Sequence, residues 1–98
     1  FQVEEAHHRN KKDAPSGTAK SLQATLEETL GRRLPEPLSI RGGGIFGIHK
    51  VLAMGDEEIL SFEHTALSRR VFARGALRAA QWLIKQPAGF YQIEDILQ

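Results

Sequence analysis

The reactive groups of this sequence crowd into one stretch near its start, Glu5-Ala6-His7-His8-Arg9-Asn10-Lys11-Lys12-Asp13-Ala14-Pro15-Ser16-Gly17-Thr18-Ala19. Two imidazoles and Lys11 stand just upstream of Ser16-Gly17-Thr18, where the pattern opens a helix. The first N–H groups of a helix have no partner inside it and sit at the positive end of its dipole, so they attract anions. Gly17 lets a ligand come close to the backbone, and Thr18 adds a hydroxyl donor. Together these groups suit a carboxylate or phosphate with a proton donor beside it. The same residues have plainer readings: Ser-Gly-Thr before an apolar stripe caps a helix, and a basic loop is a solvated surface. A metal site fits poorly and none is expected, because adjacent His7 and His8 point to opposite faces of a strand and no third ligand is fixed nearby.

These groups need a frame. Apolar Phe1 and Val3 alternate with polar Gln2 and Glu4, which predicts a strand over 1–6. A polar loop follows, then a helix over 16–30 with Ala19, Leu22, Leu26 and Leu30 on one stripe. Asp13 or Ser16 can cap its start, and Gly31 stands where a left-handed C-terminal cap belongs. Pro35 and Pro37 forbid further helix. Three β segments are predicted at 38–41, 45–54 and 58–65, with Gly42-Gly43-Gly44 after the first and the turn Gly55-Asp56 between the last two. Ser68 is expected to cap a second helix over 69–84, whose stripe is Phe72, Ala76, Ala79 and Leu83. Phe72 and Trp82 are read as core, and Gly75 in mid-helix as a sign of tight packing. The tail after Pro87 carries Phe90, Tyr91, Ile93, Ile96 and Leu97, apolar groups that need a partner surface. The order β-α-β-β-β-α predicts an α+β fold: a mixed, mostly antiparallel sheet with two helices packed on one face. Both faces of the long strand are partly apolar, so cover of the second sheet face by another subunit is expected.

Composition narrows the function classes. Ninety-eight residues suffice for one domain. Thirteen Lys+Arg against 12 Asp+Glu leave a net charge of +1, which argues against a dedicated nucleic-acid binder. Apolar residues are 41% of the chain, too many for a disordered segment. No apolar run approaches the roughly 20 residues a membrane span needs. The absence of cysteine removes disulfide scaffolds, thiolate metal sites and thiol nucleophiles, and it fits a reducing compartment. The chain opens on Phe1 inside a strand pattern and reads as a piece of a longer protein.

The stretch Glu5-Ala6-His7-His8, Lys11 and Asp13-Ala14-Pro15-Ser16-Gly17-Thr18-Ala19 closely resembles the signature of the dihydrodipicolinate reductase family, enzymes of lysine and diaminopimelate biosynthesis. The resemblance continues through Arg41-Gly42-Gly43, Gly47 and His49-Lys50-Val51, then His64-Thr65-Ala66-Leu67-Ser68-Arg69 and Phe72-Ala73-Arg74-Gly75-Ala76. Ile48 departs from the pattern, which often has an acid before that His.

The resemblance implies a two-domain, cytoplasmic, homotetrameric oxidoreductase using NADH or NADPH. Residues 1–98 would be its substrate-binding and oligomerisation domain; the N-terminal Rossmann domain that binds the dinucleotide is absent from this chain. The substrate implied is a cyclic dicarboxylate, 4-hydroxy-tetrahydrodipicolinate, which is reduced to tetrahydrodipicolinate by hydride from the nicotinamide while the ring loses water. Hydride addition to a conjugated imine builds negative charge that a proton donor must quench. Matched position by position, His7 is the catalytic proton donor and Lys11 the second acid. His8, Ser16, Gly17 and Thr18 bind substrate, and Arg69 is a secondary candidate. His49 and His64 are read as satisfied strand residues and Lys12 as solvent-facing. The expected partners are the dicarboxylate, the Rossmann domain and further copies through the sheet face, with no nucleic acid or membrane. Alone, the domain is expected to bind dicarboxylate without turning it over. The alternatives are a non-catalytic oligomerisation or regulatory module of the same fold, or a phosphate-binding module built on the basic loop.

Overall fold

A computed structural model describes residues 1–98 and divides them into two compact units, Phe1–Leu67 and Ser68–Gln98. In the first unit β1 (Gln2–His7) leads through a loop to α1 (Gly17–Leu30), then β2 (Leu38–Arg41), β3 (Gly47–Met54) and β4 (Ile59–Ala66). The sheet order is β2-β1-β3-β4. The β1–β2 pair is parallel, as a crossover through a helix requires, while β1–β3 and β3–β4 are antiparallel. The fold is therefore α+β with a mixed, mostly antiparallel sheet.

Strand β1 lies inside the sheet, and its register sets the faces. Glu5 stands opposite Ser39 on one side and His49 on the other, and His49 stands opposite His64. Cross-strand partners share a face, so Val3, Glu5, His7, Arg41, His49, Val51, Phe62 and His64 point to one side. Helix α1 packs on β1, where Val3 and Ala19 are buried. Ala6, Leu38, Ile40, Ile48, Lys50 and Glu63 point to the opposite side, which no element of this unit covers. There Leu38 and Ile40 are more than half exposed, and Lys50 pairs with Glu63 at 3.3 Å.

Capping fixes both ends of α1. Ser16 is its N-cap, with the hydroxyl accepting from the Ala19 amide at 3.2 Å. Gly31 closes it in the left-handed conformation at φ 66°, its amide donating to the Glu27 carbonyl. Glu27 also accepts the Leu34 amide at 2.8 Å, which fastens the turn into β2.

The second unit holds α2 (Arg70–Leu83) and a single turn, α3 (Ile93–Ile96). Several expectations change here. The Ser68 hydroxyl does accept the Arg70 amide at 3.3 Å, but Arg69 occupies the N-cap position. Phe72 is exposed rather than core, no residue of α2 is buried, and a Cβ at Gly75 would meet open space. The tail is not wholly irregular: the Asp95 carboxylate accepts the Gln92 amide at 2.7 Å and starts α3. Trp82 and Tyr91 meet edge to face with ring centroids 5.2 Å apart. Strand β3 begins at Gly47, two residues later than the pattern suggests, because residues 42–45 form a turn with Gly43 at φ 49°.

Candidate functional site

Glu5 is the centre of the site, although the alternation of β1 puts it where an apolar side chain would be expected. Its side chain has no solvent exposure. Each carboxylate oxygen takes two hydrogen bonds: Oε2 from His7 Nδ1 (2.6 Å) and an Arg41 terminal nitrogen (2.8 Å), Oε1 from the other Arg41 terminal nitrogen (2.8 Å) and the Ser16 amide (3.1 Å). Burial pushes the Glu5 carboxyl up, but hydrogen bonds from Arg41, His7, Ser39 and the Ser16 amide outweigh it and hold the group at about 2. The anion in turn raises the Arg41 pKa.

His7, at the end of β1, is thereby fixed. With Nδ1 committed to Glu5, Nε2 is the nitrogen left to act. Nε2 looks toward buried Gly47, where a Cβ would lie 3.4 Å from it. The ring also meets His49 edge to face, with centroids 5.1 Å apart. His49 Nε2 lies 3.1 Å from the Ser16 hydroxyl. Burial first, then His7, lowers the His49 pKa, which favours a neutral ring that accepts the Ser16 hydrogen. His49 is thus a satisfied strand residue, and it ties His7 to the helix start.

The other candidates are distributed as follows. Gly17 and Thr18 form the exposed first turn of α1, and their amides precede the first one that is capped. Thr18, Leu22, His49, Val51, Phe62 and His64 line an open cavity of about 620 Å³ over the face that carries His7. Lys11 lies in the loop between β1 and α1, its ammonium 3.1 Å from the Asp13 carboxylate. His8 is exposed, with its ring accepting the Asn10 amide at 3.2 Å. Arg69 belongs to the second unit. Sequence reasoning quoted Glu5 and Arg41 only as parts of a motif and assigned them no role. The signal that identifies Glu5 is an acid at the inward position of a strand, in phase with Val3 and His7.

A dinucleotide finds no cradle in these elements. Gly42-Gly43-Gly44 joins β2 to β3, whereas a pyrophosphate needs a glycine turn that feeds a helix N-terminus. No group of three or more acidic or His side chains is arranged to hold a metal ion. No helix is long and apolar enough to cross a membrane.

This geometry, an anion-ready helix start beside a carboxylate-anchored imidazole on an α+β frame, defines a polar ligand-binding domain. The family model described as "Dihydrodipicolinate reductase, C-terminus" matches residues 1–97, and the chain belongs to that family. It is 62% identical over 97 residues to the 4-hydroxy-tetrahydrodipicolinate reductase of Bdellovibrio bacteriovorus, covering 99% of this chain and 42% of that protein. It is 48% identical to the enzyme of the same name from an Exiguobacterium species, covering 100% of this chain and 45% of that protein. The fold is also that of a dipicolinate-bound dihydrodipicolinate reductase from a Paenisporosarcina species, with TM-score 0.82 at 22% identity over 97% of this chain and 43% of the other. The chain spans less than half the length of these relatives.

Proposed function

We propose that this chain is the substrate-binding and oligomerisation part of a 4-hydroxy-tetrahydrodipicolinate reductase acting in lysine and diaminopimelate biosynthesis. In this reading the Gly17 and Thr18 amides, the Thr18 hydroxyl and the Ser16 turn take one carboxylate of the cyclic substrate. His8 and the Lys11 ammonium serve the substrate from the loop, with Lys11 leaving Asp13 to do so. His7 delivers a proton from Nε2 to the charge that builds up as the imine is reduced, and Lys11 is the second acid. Arg69 is a further candidate for contact with the substrate. NADH or NADPH, the hydride source, is carried by the part of the complete enzyme that these 98 residues do not include. Homotetramer formation uses the sheet face that carries Leu38 and Ile40, in a cytoplasmic enzyme.

The observation that carries this reading is the shared Glu5 carboxylate, which accepts His7 Nδ1 at 2.6 Å and the Ser16 amide at 3.1 Å. One buried anion therefore sets a proton donor and an anion-binding turn relative to each other. The Paenisporosarcina reductase of the same fold is bound to dipicolinate, which agrees with a planar dicarboxylate as ligand.

The test is calorimetric titration of the chain with pyridine-2,6-dicarboxylate and, separately, with NADH. Dicarboxylate binding without dinucleotide binding is expected. A folded chain that ignores the dicarboxylate, or one that binds NADH tightly, overturns the proposal.

A further inference from the structure

Arg41 uses every donor it has. Its two terminal nitrogens grip Glu5 Oε1 and Oε2 at 2.8 Å each, and they also donate to the Asp13 carbonyl at 2.7 Å and to the Ile40 carbonyl at 2.9 Å. Its Nε donates to the Lys11 carbonyl at 3.2 Å. A guanidinium has five N–H donors in a rigid fork, and here all five have acceptors. Two of those acceptors belong to the backbone of the loop that carries Lys11, and two are the Glu5 oxygens, of which Oε2 holds His7 and Oε1 the Ser16 amide.

We infer that Arg41 and Glu5 form one positioning unit, in which Glu5 fixes the tautomer of His7 and Arg41 locks both Glu5 and the Lys11–Asp13 backbone into a single geometry. The inference rests on His7 and Lys11 as the two acids proposed above. Neither Arg41 nor Glu5 needs to touch substrate. A neutral imidazole whose Nδ1 donates to a carboxylate must present a bare Nε2, and on protonation that same nitrogen gains the hydrogen it can give away. A buried carboxylate with four hydrogen bonds cannot swing to release the ring. A lysine at position 41 keeps the charge but cannot span five acceptors in a plane. The charged and titratable groups around the His7 ring are Glu5 on β1, Arg41 on β2, His49 on β3 with His64 beyond it on β4, and Lys11 and Asp13 on the loop.

Nitrogen-15 imidazole spectra of the unaltered chain test this directly, with the His7 signal assigned by its loss in His7→Gln. Neutral His7 is expected to carry its hydrogen on Nδ1. A hydrogen on Nε2 overturns the inference, whatever any variant does. Glu5→Gln is expected to move the hydrogen toward Nε2, since the carboxylate that accepts from Nδ1 is gone. In the complete reductase, Glu5→Gln should lower kcat on the order of 10²-fold or more with KM little changed. Arg41→Lys should instead raise KM for the dicarboxylate on the order of tenfold, because the Lys11 loop loses its fixed geometry. Folded variants with an unchanged His7 tautomer, kcat and KM would reduce the pair to a structural tie. If the unaltered chain shows the Nδ1 tautomer but binds no dicarboxylate, the proposed function fails and the positioning of His7 stands.

Discussion

Glu5 is a buried charge, and a buried charge is retained only when its hydrogen bonds replace what water gave it. Its partners come from β1, β2 and the start of α1, so the carboxylate is charged in the folded state at pH values where an unfolded glutamate is protonated. The sign follows from linkage: a depressed acid pKa contributes stability above the ordinary value of 4.5, and that contribution is lost as pH falls toward about 2. Urea midpoints measured down this range should decline, and Glu5→Gln should flatten the decline; a wild-type midpoint independent of pH here would contradict the assignment. Lys11 differs, because its ammonium pairs with exposed Asp13 at 3.1 Å, an interaction of small net worth that, in the proposed function, a substrate carboxylate displaces. Lys11→Ala in the complete enzyme should therefore leave stability nearly unchanged while turnover drops about 10²-fold or more. Near-normal turnover would remove Lys11 from the chemistry.

Helix α1 links the frame to the site through one residue. The Ser16 hydroxyl caps the Ala19 amide and meets His49, while the Ser16 backbone amide meets Glu5. Ser16→Ala loses a cap, typically about 1 kcal/mol, and also leaves His49 Nε2 without its partner. Thermal unfolding should show a loss at or above the usual capping value, and an unchanged midpoint would mean that the cap contributes nothing. Helix α2 gives the opposite expectation. Gly75 stands in its interior with open space where a Cβ would be, so its cost is conformational and unrelieved by packing. Gly75→Ala should stabilise α2 by up to about 1 kcal/mol, read as increased helicity or melting temperature. Destabilisation would reveal a close neighbour at that position.

The uncovered sheet face bears on the assembly of the whole molecule. Leu38 is 54% exposed and Ile40 is 58% exposed, both on the face opposite α1. Exposed apolar groups on a strand at the edge of a sheet favour association. In the proposed homotetramer this face is buried against another copy, with the Lys50–Glu63 pair beside it. Ile40→Glu should shift the chain to smaller species in size-exclusion with light scattering while its circular dichroism stays native. A wild-type chain that is strictly monomeric at high concentration would contradict assembly through this face.

The element order, the cap at Ser16, the left-handed Gly31 and the helix start at Gly17 and Thr18 were all written in local sequence, because they depend on residues within a few positions of one another. The strand alternation and the long motif around His7 and Lys11 were local in the same way, and they sufficed to place the chain in its family. Glu5 and Arg41 were not legible as a pair, since they stand 36 residues apart and meet only because β2 runs parallel beside β1. Nor could sequence tell that His49 would touch both His7 and Ser16, which depends on the β1–β3 register. The readings of Phe72 and Gly75 failed for a related reason: periodicity shows which face of α2 is apolar, whereas only the packed chain decides whether anything covers it.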